Sequence, residues 1–137
     1  MTKAQRRWVY SPPKPSAGQV PVNLRAEVQR KAEQLIEATL KPRYLKPPPA
    51  DTQFNYIIDI YTKWYRHYFY FCAKYCVPGP NAMAPDFEAK FARLEYAGHN
   101  SFNLSYRRYT EEWIEVYPSL SLDECLNAIR DDPLFQP

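Results

Sequence analysis

The sequence predicts an α+β protein. One antiparallel sheet of about five strands, a hairpin plus a three-stranded meander, carries an N-terminal and a C-terminal helix packed on one face. Three observations lead there. Apolar residues follow helical spacing near both ends of the chain and a period of two between them. Twelve Tyr, seven Phe and three Trp make up 16% of the chain and concentrate between Phe54 and Tyr117, a composition that favours strands. Fourteen prolines against three glycines gather between these segments and punctuate them. With 137 residues, 45% apolar and 24% charged, the chain is of a size to build one core.

The elements follow in order. Residues 1–21 hold Lys3, Arg6, Arg7 and Lys14, no acid, and four prolines, so they read as a basic, flexible arm ahead of a single domain over 22–137. Trp8, Val9 and Tyr10 are its only apolar triplet. Leu24, Val28, Ala32, Leu35, Ile36 and Leu40 then mark a helix, with Asn23 as N-cap and Pro42 as its stop.

From Phe54 the period becomes two. Phe54, Tyr56, Ile58 and Ile60 share one face of a first strand, and Thr62-Lys63 is the expected turn. Tyr65, His67, Phe69, Phe71 and Ala73 share one face of the second strand, and Trp64, Arg66, Tyr68 and Tyr70 the other. A loop rich in Pro, Gly and Asn, Val77 to Pro85, precedes strands at Lys90–Tyr96, Phe102–Tyr109 and Trp113–Tyr117. Residues 86–94 also suit a helix, but their direct run into the next hairpin favours a strand. Ser121-Leu122-Asp123-Glu124 is a capping box, and Leu122, Leu126 and Ile129 form the stripe of a helix that ends at Asp132-Pro133.

The second half resembles an uncharacterised bacterial family, domain of unknown function 3024. The resemblance rests on Ala89-Lys90-Phe91, Trp113 to Tyr117, the helix Leu122–Ile129, and Asp132-Pro133 with Phe135, over roughly residues 87–135. It implies a compact α+β domain and brings no activity, cofactor or site.

Composition limits function more than it assigns it. The longest apolar run is far short of the ~20 residues of a membrane helix, and no hydrophobic segment follows the basic start, so a cytoplasmic protein is expected. Three cysteines are an odd number and make no disulfide framework. Cys72 and Cys76, near His67, invite a metal, yet on one strand they lie ~13 Å apart, and no metal or other cofactor is expected. Cys125 reads as a packing residue. His67 and His99 are the only histidines, and Glu111-Glu112 and Asp131-Asp132 read as solvated pairs. Three glycines leave no phosphate-cradling loop.

What remains is aromatic and cationic interleaving: Trp64, Arg66, Tyr68 and Tyr70 on one strand, Arg107 and Tyr109 on a later one, Trp8 in the arm. Tyr, Trp and Arg anchor protein interfaces. A non-enzymatic interaction module is therefore expected, most simply a homodimer built on this face. Single-stranded nucleic acid, stacked on the same rings, is the alternative partner. A small-ligand enzyme with a pocket between sheet and helix is the remaining alternative. Charge is divided: residues 1–50 carry ten basic groups against three acids, residues 51–137 eight against twelve.

Overall fold

A computed structural model describes residues 18–47, 54–79, 82 and 84–137. The apolar stripe near the N-terminus forms α1 (Val22–Leu35), which continues through a π-helical stretch (Ile36–Leu40) into the single turn α2 (Lys41–Tyr44). Leu24, Val28, Ala32, Ile36 and Leu40 are its buried residues. Both expected ends differ. Pro21, without a side-chain cap, stands where Asn23 was expected, and Pro42 lies inside the last helical turn. The Lys41 N–H bonds back five residues to the Ile36 carbonyl, and this wider turn carries the chain past a proline that has no N–H of its own.

The sheet is a plain meander in the order β1 (Tyr56–Tyr65), β2 (Tyr68–Cys76), β3 (Asp86–Gly98), β4 (Ser101–Arg107), β5 (Trp113–Leu120), all antiparallel. The first hairpin turns at Arg66-His67, not at Thr62-Lys63, and Arg66 adopts φ 56° to make the turn. Residues 86–94 are strand throughout. The β3–β4 turn uses His99 and Asn100 at φ 54° and 59°, the left-handed pair that a two-residue hairpin demands.

All helices of the described residues lie on one face. Phe69, Leu94 and Leu104 are paired across β2, β3 and β4 and are fully buried beneath them, with Phe71, Ala92 and Phe102 alongside. Burying each of these phenylalanines stabilises the fold by about 1.5–3 kcal/mol. The C-terminal helix α3 (Leu122–Asp131) adds Leu122, Cys125, Leu126 and Ile129, and the 3-10 turn Pro133–Phe135 inserts Phe135 against Tyr106 and Tyr117.

The capping box of α3 is formed. Ser121 Oγ accepts from the Glu124 N–H at 3.1 Å, and Glu124 Oε1 accepts from the Ser121 N–H at 2.9 Å. Ser121→Ala is expected to cost about 0.5–2 kcal/mol. A urea midpoint equal to that of the wild type would show that the cap contributes nothing.

Both sheet edges are blunted. On β1 the register slips between Ile57 and Asp59, and the Asp59 carboxylate takes the Ile60 N–H at 2.9 Å. On β5 the register breaks twice, Pro118 offers no N–H, and Asn103 takes the Ser119 N–H. A strand edge guarded in this way is a poor template for another strand.

Candidate functional site

Directly opposed residues of neighbouring strands share a face. One row therefore runs Lys63, Tyr70, Arg93, Ser105, Glu115 across the whole sheet on the side away from the helices. Beside it run Tyr65, Tyr68, Glu95, Asn103 on one side, and Tyr61, Cys72, Lys90 on the other, with the Arg107–Trp113 pair at the β4–β5 end. Among the described residues no helix packs on this open face.

The expected interaction residues separate. Tyr68, Tyr70 and Arg107 stand on the open face. Trp64 does not: it is opposite Phe69 on the helix side, with ring centroids 4.7 Å apart and the Arg25 guanidinium 4.1 Å from its ring. Arg66 is a turn residue, its carbonyl held by Arg25 at 3.2 Å. Tyr109, 91% exposed, lies past the end of β4 in the turn before β5. Trp8 lies outside the described residues.

The structure adds residues that the sequence left unassigned. The Trp113 ring reaches to 5.7 Å from Tyr70, and Tyr68 lies 6.1 Å from Tyr70. Strands β2 and β5 are roughly 14 Å apart at the usual strand spacing, so Tyr70 and Trp113 lean toward each other over Arg93 and Ser105. Ser105 is 1% exposed beneath them. The Arg93 guanidinium sits 4.7 Å from the Tyr68 ring and 5.0 Å from Trp113, Arg107 sits 5.6 Å from Trp113, and Lys90 5.6 Å from Tyr70.

Glu88 organises the β1 side. It accepts from Tyr61 Oη, from Lys63 at 2.7 Å and from Lys90 at 3.1 Å. Burial alone would raise its pKa, but the hydrogen bonds from Lys63, Tyr61 and Lys90 outweigh this and bring it down to about 2 from an ordinary 4.5. Tyr61 is pushed up by burial and by Glu88. The depressed Glu88 pKa stabilises the fold above pH 4.5, and this contribution disappears as pH falls from 4.5 toward about 2. Wild type is thus expected to lose more stability than Glu88→Gln between about pH 6 and pH 3. Equal losses in urea melts at the two pH values would refute the assignment.

Two of the thiols are quiet. Burial, reinforced by Glu88, pushes Cys72 up to about 11, and burial pushes Cys125 up to about 12. Neither is a nucleophile at neutral pH. Among the described residues no group of three His, Cys, Asp or Glu is placed to hold a metal. His67 Nε2 lies 3.3 Å from Glu95 and its ring packs on Tyr68. Asp131 is paired with Arg130, and Asp132 accepts from Tyr117 and caps the final turn. Glu111 and Glu112 are exposed in the β4–β5 turn.

Comparison with known proteins gives one finding. A family model described as Domain of unknown function (DUF3024) matches residues 19–137, well beyond the 87–135 stretch that carried the resemblance. No curated protein and no solved structure matches the chain.

Proposed function

Since the chain belongs to the DUF3024 family, a domain of unknown function that supplies no activity, we propose from its own surface that it is a non-enzymatic binding module whose open sheet face docks a protein partner, in the simplest case a second copy of itself. One observation carries this reading: Tyr65, Tyr68, Tyr70 and Trp113 share a sheet face on which no helix of the described residues packs. Aromatic side chains grouped on a surface mark interaction sites, and the guarded edges leave the face as the place to dock.

Charge favours protein over nucleic acid. By strand register the open face carries Lys63, Lys74, Lys90, Arg93 and Arg107 against Asp59, Asp86, Glu88, Glu95 and Glu115. That near balance suits a protein surface of both signs and gives a polyanion little net attraction. The non-enzymatic reading is supported by the raised thiols and by the surroundings of His67, which pairs with Glu95 and Tyr68. Three free cysteines suit a reducing, cytoplasmic compartment, and no helix among the described residues is long and apolar enough to cross a membrane.

Sedimentation over a micromolar dilution series tests the proposal. A dimer is expected whose dissociation constant changes less than about tenfold between 50 and 200 mM salt. A monomer throughout, with a single-stranded oligonucleotide bound at low salt and released over that range, would replace it with the nucleic-acid reading.

A further inference from the structure

Resting on that reading, we infer that Arg93, held between Tyr68 and Trp113, is the specificity-determining anchor of the docked face and receives a carboxylate side chain from the second copy. Four observations lead to it. Arg93 stands at the centre of the open face, on the middle strand of five, in the row Lys63, Tyr70, Arg93, Ser105, Glu115. Its guanidinium is fixed by two rings, at 4.7 and 5.0 Å. A planar cation clamped in this way has already given up much of its rotamer freedom, so binding an anion costs less. Its Nε is buried and makes no hydrogen bond. No incoming group reaches this atom, so the guanidinium is desolvated on that side and its terminal N–H groups are the ones left for an anion.

Three other cations of the face are paired with carboxylates. Lys63 and Lys90 both bond Glu88, and Arg107 reaches Glu111 at 3.4 Å. Arg93 interacts with ring faces, which leave the in-plane N–H groups of a guanidinium directed past them. Those groups match a carboxylate, two donors to two oxygens. Arg107, on the same Trp113 ring at 5.6 Å, adds a second positive charge.

The choice of a carboxylate over a phosphate chain follows from the neighbours. Glu95 lies two residues along β3, and Glu88 is anchored toward the far end of the same strand. A single carboxylate fits between them. A run of phosphodiesters would have to pass close to both.

The test is sedimentation equilibrium of the full chain as wild type, Arg93→Ala and Arg93→Lys, with circular dichroism melts to confirm folding. Loss of a desolvated charge pair is expected to weaken the dimer roughly thirtyfold in Arg93→Ala. Arg93→Lys is expected to weaken it nearly as much, because an ammonium cannot make the paired contact. It also keeps the charge and most of the packing, so it carries the test if the alanine variant unfolds. Wild-type affinity in both folded variants, with a dimer still present, would overturn the role of Arg93 and leave the docking face standing. A wild-type monomer would overturn both. A labelled single-stranded oligonucleotide bound by wild type and lost in Arg93→Lys would assign the guanidinium to phosphate and overturn the carboxylate.

Discussion

Trp64→Glu is expected to lower the stability of the fold by about 3 kcal/mol, because its half-buried ring packs on the helix side and not on the open face. Trp64 meets Phe69 at 4.7 Å and lies beneath the Arg25 guanidinium at 4.1 Å. Together with the Gln29 bond to Thr62 at 3.2 Å, it ties α1 to the outermost strand. A carboxylate there would lose the ring contact and uncover Phe69, and a partly solvated pairing with Arg25 would recover only a fraction of that loss. Domains of this size are stable by about 5–15 kcal/mol, so the loss should lower the melting temperature by roughly 10 °C. An unchanged melt would mean that Trp64 does not pack as described.

That residue also shows where the sequence misleads. A strand running unbroken through Trp64, Arg66, Tyr68 and Tyr70 would put all four on one side. The turn instead falls at Arg66-His67, a pair with no Gly, Asn, Asp or Pro to announce it. Crossing a two-residue turn pairs positions of opposite parity, Tyr65 with Tyr68 and Trp64 with Phe69. Moving the turn from Thr62-Lys63 to Arg66-His67 thus sends Trp64 to the helix side and Tyr65 to the open side. Arg93 was hidden for a related reason. The register slips next to Phe91, so Phe91 and Ala92 are both buried in sequence and the period of two is lost beside it. The C-terminal helix was legible because its start depends only on local chemistry, Ser121 and Glu124 bonding each other's backbone. The start and end of the first helix were not, since neither the bare Pro21 cap nor the π turn before Pro42 has a strong local signature.

Tyr70→Glu is expected to have the opposite effect: an intact fold and a broken dimer. Tyr70 contacts Tyr68, Trp113 and Lys90 on the open face. Losing two ring contacts costs the monomer about 1–2 kcal/mol, and a new carboxylate would lie among Lys63, Lys90 and Arg93, which can accommodate it. At an interface the same change removes a central aromatic anchor and adds a charge to be desolvated. Anchors of this kind account for about 2 kcal/mol or more, enough to weaken self-association roughly thirtyfold. Tyr68→Glu, on the same face, should behave alike.

The proposed division of the sheet into one structural face and one docking face is tested most directly by a paired measurement of melting temperature and sedimentation mass on wild type, Trp64→Glu and Tyr70→Glu. The expected result is a wild-type dimer, a Trp64→Glu protein that melts roughly 10 °C lower, and a Tyr70→Glu protein that stays folded and sediments as a monomer at micromolar concentration. A wild type that sediments as a monomer at every concentration, with Tyr70→Glu indistinguishable from it, would contradict the account.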